Sequence, residues 1–139
     1  MIVQPYLLFN GRCEEALSFY GEKLGAEVVF QMRFKDGPPN PEHPLKPGTE
    51  DKIMHTTFRI GTTELMGSDG NCDAGDTTHT GFSLSLTADD AASGEKYFNA
   101  LSDGGKVTMP WQETFWTKGF GMVVDRFGIA WMVTIPHQG

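Results

Sequence analysis

Cysteine is nearly missing from this chain of 139 residues. Only Cys13 and Cys72 carry thiols, and they form no Cys-x-x-Cys pair. That excludes a disulfide framework and a zinc knuckle. Basic residues are also scarce, 11 against 18 acids, for a formal charge of −7. Without a basic patch, neither nucleic acid nor an anionic membrane surface is an expected partner. Long apolar runs are absent as well. The opening stretch from Met1 to Phe9 carries Pro5, has no basic leader and is too short for a signal peptide or a membrane span, so a cytoplasmic location is expected. A Gly-x-Gly-x-x-Gly loop after a strand and a Gly-x-x-x-x-Gly-Lys-Ser/Thr loop are both missing. Binding of nucleotides or S-adenosylmethionine through those loops therefore has no support.

What the chain does have is apolar and aromatic content, 39% and 12% of residues, enough for a packed core in a single domain, 1–139. The aromatics concentrate in Met109 to Val133, which holds Trp111, Trp116 and Trp131 together with Phe115, Phe120 and Phe127. Large apolar side chains with a few polar groups between them suit the wall of a small-molecule cavity, and equally a core.

Periodicity divides the chain into elements. Residues 2–9 alternate as a strand, with Val3, Leu7 and Phe9 opposite Gln4, Tyr6 and Leu8. Asn10 is placed to cap a helix whose apolar stripe is Cys13, Ala16, Leu17, Tyr20 and Leu24, and Gly25 stops it. A strand at 27–34 precedes a proline-rich excursion, 36–51, a candidate lid. Strands at 52–60 and 63–68 follow. After a polar linker, about 69–80, come a strand at 81–87, a helix at 90–102 capped by Thr87 or Asp89, and strands at 106–111, 120–125 and 129–135. The order is strand, helix, three strands, written twice. A shift of 77 lays Leu7 on Leu84 and Tyr20 on Tyr97, and further along Val28 meets Val107 and Arg59-Ile60-Gly61 meets Arg126-Phe127-Gly128.

Tyr6-Leu-Leu-Phe-Asn-Gly11, Leu24-Gly-Ala-Glu27, His55-Thr-Thr-Phe-Arg-Ile60, Leu65-Met-Gly-Ser-Asp69, Trp111-Gln-Glu-Thr-Phe-Trp116 and Asp125-Arg-Phe-Gly-Ile-Ala-Trp-Met132 cover nearly the whole chain. In these motifs it resembles the PhnB-like branch of the vicinal oxygen chelate superfamily, which includes glyoxalases, bleomycin-resistance proteins and extradiol dioxygenases. The resemblance implies an α+β fold of two tandem βαβββ modules, about 1–68 and 81–139, forming a curved, half-open mixed sheet with a central cavity. It also implies a homodimer and, in many relatives, a divalent metal held by residues of the first and fourth strands of each module. Carried over, the metal positions fall on Gln4, on Glu64 or Leu65, on Gly81 or Phe82, and on Trp131 or Met132. Three or four histidine or carboxylate ligands are the usual need, so this set is incomplete. Glu64 with His55 is the pair that would hold a metal, and His79 is a further histidine that could help rebuild the site. Relatives of the branch are sometimes labelled ubiquinone-pathway methyltransferases, a label the missing loops argue against.

The expected cavity wall comprises Tyr6, His55, Glu64, Trp111, Glu113, Trp116, Phe120 and Trp131. Glu113 sits between two tryptophans, where partial burial would suit it to acid–base work, although a carboxylate bonded to backbone donors is the alternative. His55 is a second candidate base. Asp125 reads as a turn residue. Asp69-Gly-Asn71-Cys-Asp73 opens like a calcium loop but has Ala74 and Thr80 where Gly and Glu are required. Cys13, in the first helical turn, is read as packing rather than as a nucleophile. The expectation is a small-molecule protein with isomerase or lyase-type proton transfer by Glu113 or His55. The alternative is a non-catalytic binder of the bleomycin-sequestering kind.

Overall fold

A computed structural model describes residues 1–38, 41–42, 44–45, 47–70 and 79–136. The chain divides into two units, Met1–Thr77 and Thr78–Gly139. Most of the linker lies outside the described residues, including Cys72 and most of the calcium-like opening. Parts of the proline-rich segment lie outside them too.

The first unit contains β1 (Tyr6–Leu8), α1 (Cys13–Leu24), β2 (Glu27–Arg33), a single 3₁₀ turn (Phe34–Asp36), β3 (Ile53–Ile60) and β4 (Thr63–Ser68). Its sheet has the order β1-β4-β3-β2, with β1 parallel to β4 and the other pairs antiparallel. The second unit repeats the plan with β5 (Leu84–Thr87), α2 (Ala91–Ser102), β6 (Lys106–Gln112), β7 (Phe120–Val124) and β8 (Ala130–Thr134), ordered β5-β8-β7-β6. The repetition extends to irregularities. Val28 and Val107, matched in the sequence, each open a β-bulge on an edge strand, and Gly61 and Gly128 each take a left-handed conformation in the turn joining the last two strands.

Register decides which side chains meet the helix. Tyr6 pairs with Met66 and Leu7 with Gly67, so Leu7 turns toward α1 and Tyr6 away from it. On the helix side, Tyr20 stacks on Phe58 at 6.3 Å between ring centroids, and Leu7, Phe9, Phe58 and Leu65 are buried around it. In the second unit Phe98 of α2 lies over Gly121, while Val123, Trp131 and Val133 are buried. Among the described residues no helix is long and apolar enough to cross a membrane.

Three local expectations need correction. The first strand is shorter than 2–9, and Val3 is exposed because only residues 6–8 find a β4 partner. Asn10 does not cap α1. It sits at φ 48° in the turn before Arg12, and the first helical N–H, that of Cys13, donates instead to the buried carboxylate of Asp69 at 2.7 Å. The other oxygen of Asp69 accepts from the backbone of Ile53 at 2.7 Å, so one acid joins the helix start to the start of β3. In α2 the cap is Asp90, one residue after the expected Asp89, with its side chain accepting from the Ser93 N–H.

Asp125 closes the β7–β8 turn by accepting from the backbone N–H groups of Phe127 and Ile129, and its second oxygen accepts from the indole of Trp131 at 2.9 Å. Asp69→Ala and Asp125→Ala each strand at least two buried donors, and each should lower unfolding stability by about 3 kcal/mol or more. Urea denaturation checks this; a midpoint shifted no further than that of a surface Asp→Ala control would rule it out.

Candidate functional site

In the first unit the face turned away from α1 carries a polar centre. Tyr6, Met66, Thr57 and Phe30 lie side by side in one row across β1, β4, β3 and β2. His55 is two residues before Thr57, on the same face. Its Nδ1 shares a hydrogen bond with Tyr6 Oη at 3.1 Å, and its Nε2 lies 3.4 Å from Thr57 Oγ1. The Tyr6 and Phe30 rings flank the imidazole at 5.6 and 6.2 Å between centroids. Thr57 was not among the sequence candidates. Only its position two residues from His55 on an alternating strand would have pointed to it.

Glu64 is on this face as well, and Leu65 is buried on the other, which settles the register alternative at the metal position. Glu64 pairs in register with Arg59, whose guanidinium binds Glu27, so a fixed positive charge stands beside it. The Gln4 side-chain amide donates to the backbone oxygen of Glu64. In the second unit, Phe82 offers a half-exposed ring and Met132 a thioether, while the buried Trp131 is bonded to Asp125. Among the described residues no three histidine, cysteine or acidic side chains are grouped to hold an ion. Of the four carried-over positions only Gln4 and Glu64 bear oxygen donors, fewer than the three or four ligands such a site takes.

The aromatic stretch divides. Phe120 lies in the row with Thr134 and Gln112 on the face turned away from α2, and Trp116 meets it edge to face at 5.5 Å. Phe115 meets Trp116 edge to face from the solvent side, at 4.8 Å between ring centroids. The turn that presents Trp116 is held by Thr114, whose hydroxyl accepts from the N–H groups of Trp116 and Thr117.

Trp111 and Trp131, expected on the cavity wall, face α2 instead. Trp131 is 4% exposed and in register with the buried Val123. Trp111 lies against Phe98, between Gly94 and Gly119, where a Cβ on Gly94 would fall 2.6 Å from its ring. The cause is in β6. Register slips between Val107 and Met109 and again between Met109 and Gln112 put Met109 and Gln112 on one face, so simple alternation misassigns Trp111.

Glu113 is exposed just beyond β6, without the burial expected of it. Cys13 is fully buried, and its thiol is pushed up to about 12, first by burial and then by the charges of Asp69 and Glu14. It is therefore a packing residue with no thiolate to offer. His79 meets Phe82 edge to face, and its ring nitrogens are buried without a partner among the described residues.

Residues 2–134 match the family model described as 3-demethylubiquinone-9 3-methyltransferase. The chain belongs to this family. Its curated relatives include Protein YjdN of Escherichia coli K12, 35% identical over 99% of this chain and 97% of that one. Protein PA1353 from Pseudomonas aeruginosa has a similar structure, at a TM-score of 0.84 and 40% identity over 99% of both chains. A Bacillus cereus PhnB protein, titled a putative 3-demethylubiquinone-9 3-methyltransferase, superposes at 0.80 with 27% identity, over 98% of this chain and 100% of that one. The likeness of fold extends to a glyoxylase/bleomycin resistance protein/dioxygenase domain from Frankia sp. EAN1pec, at 0.62 and 16% identity, over 100% of this chain and 93% of that one. The PhnB-like branch and the vicinal oxygen chelate fold inferred from the motifs are thus those of this chain.

Two predictions follow from side-chain placement. Trp116→Phe should move tryptophan emission to shorter wavelength and remove most acrylamide quenching, whereas Trp131→Phe should do the reverse; equal quenching in both variants would contradict the assignment. For Cys13 the unfolded thiol titrates near 9 and the folded one near 12, so its stabilising contribution is complete below pH 9 and declines as pH rises. The slope approaches about 1.4 kcal/mol per pH unit. Cys13→Ala should lack that decline when the two proteins are unfolded in urea across the range.

Proposed function

We propose that this PhnB-like protein is a cytoplasmic homodimer that handles a small, partly apolar molecule by metal-independent proton transfer of the isomerase or lyase type, centred on His55. The observation that carries the reading is the Tyr6–His55 hydrogen bond on the sheet face turned away from α1, where a partner group orients the imidazole. Glu113 has a lesser place in it, since its exposure gives it no special environment. Val28, Val29 and Phe30, exposed together on the edge strand β2, support self-association.

Methyl transfer, which the family description names, is not the reading we favour. One N–H at each helix start is already taken, that of Cys13 in α1 by Asp69 and that of Ser93 in α2 by Asp90, which supports this preference without excluding the remaining N–H groups. A second reading, sequestration without chemistry, is supported by the accessible Phe115–Trp116–Phe120 cluster, which needs no acid or base.

Thermal-shift screening of small hydroxy, keto and aromatic compounds, followed by chromatography and proton NMR of each stabilising compound, separates these readings. Proton-transfer chemistry predicts an isomerised or cleaved product that disappears in His55→Ala while binding persists. Recovery of every compound unchanged would leave sequestration. Trp116→Ala should weaken binding of an aromatic compound at its own cluster by about 1 kcal/mol or more. Added Zn²⁺, Ni²⁺ or Mn²⁺ should stabilise the wild type no more than Glu64→Ala.

A further inference from the structure

Resting on the reading of this face as the ligand site, we infer that Tyr6, His55 and Thr57 form one directional hydrogen-bond chain. In the resting state it makes His55 a donor rather than a base, and it selects a ligand whose polar group is an acceptor oxygen. The argument starts from the two contacts at His55, Tyr6 Oη to Nδ1 at 3.1 Å and Thr57 Oγ1 to Nε2 at 3.4 Å. A neutral imidazole has one N–H and one lone pair, so each contact fixes the other.

A phenol is a stronger acid than an alcohol and hence the better donor, and the Tyr6 contact is also the shorter of the two. Tyr6 therefore gives its proton to the Nδ1 lone pair, and the ring hydrogen must reside on Nε2. Thr57 Oγ1 then accepts from Nε2, which leaves the threonine hydroxyl hydrogen to point onward. Both groups left for a ligand, the Thr57 O–H and the loosely held Nε2–H, are donors.

Acceptor-only groups answer such a site: a carboxylate, a carbonyl or a phosphonate oxygen. An ammonium group finds there only the spare lone pairs of two neutral hydroxyls whose own hydrogens and the Nε2–H compete with it, a poorer match than an acceptor oxygen finds. The same row supplies Met66 and Phe30 on either side of Thr57, so the apolar body of the ligand lies along the sheet while its oxygen meets the chain's end. For chemistry the consequence is that this pair polarises a carbonyl by donating to it, and takes up a proton only after Tyr6 releases Nδ1. The direction of the chain was beyond sequence reading, because it depends on which ring nitrogen each hydroxyl reaches.

Long-range ¹H–¹⁵N spectra of the ¹⁵N-labelled full chain, at about pH 8 where an ordinary imidazole is neutral, report the tautomer directly, with His55→Gln assigning the signal. The expected result is the Nε2–H form in the wild type, the same form in Thr57→Val, and a tautomer mixture in Tyr6→Phe. Benzoate and benzylamine, matched in their ring and opposite in their head group, then test the ligand class. Benzoate should move the His55 and Thr57 signals saturably, at concentrations at least about tenfold lower than benzylamine, although the chain's charge of −7 favours the amine. An Nδ1–H form, or a Tyr6→Phe spectrum like the wild type, overturns the inference and leaves the proposed function standing. An equal response to both probes, or to neither, overturns the ligand class. The proposed function fails separately, if the thermal-shift screen yields no stabilising compound.

Discussion

The carboxylate of Asp69 is the tie on which the first unit depends. It accepts from the first N–H of α1 and from the first residue of β3, and the Asp69 backbone N–H bonds back to Ile53. Helix, β3 and the end of β4 are therefore fixed to one another through a single buried group. Because Ile53 is held, His55 two residues later has a fixed height and a fixed face, and Thr57 follows on the same side. The polar centre inherits its geometry from a residue that faces the core. A buried acid bonded to backbone donors costs little to keep and much to lose, since its removal leaves those donors unsatisfied in a dry interior.

The second unit solves the same topology differently. Its helix is capped locally by Asp90, and its buried acid, Asp125, closes a hairpin and holds an indole. Repetition of the βαβββ plan therefore does not repeat the chemistry. One unit presents hydrogen-bonding groups on the face turned from its helix, and the other presents aromatic rings and a row of Met109, Met122 and Met132. Methionine and aromatic side chains adapt to varied apolar shapes, while a tyrosine–histidine pair recognises one polar group.

Much of this was legible in the residues. Alternation at 52–60 and 63–68 placed β3 and β4 to within a residue, the helical stripe from Cys13 to Leu24 found α1, and the Val28–Val107 match aligned two positions at which the structure then shows bulges. What failed had physical causes. Asn10 looked like a cap because local sequence cannot reveal that a carboxylate 56 positions from Cys13 takes that role. Trp111 looked like cavity wall from the company of other aromatics, and the two slips in β6 that turn it toward α2 leave no mark in the sequence. Trp131 looked alike for a different reason: either face of its strand accepts a large ring, and only the helix above and the acid beside it distinguish them. Thr57 was passed over because a threonine in a strand is usually there for its β-branched shape.

Trp111 is wedged between Gly94 of α2 and Gly119 just before β7, and only four residues separate it from Trp116. The turn at 113–118 is thereby anchored on a half-buried side chain packed against the helix. Neither glycine has room for a side chain beside the indole, so any larger residue at Gly94, in the first turn of α2, or at Gly119 would push Trp111 out of its seat and shift the base of the turn with it.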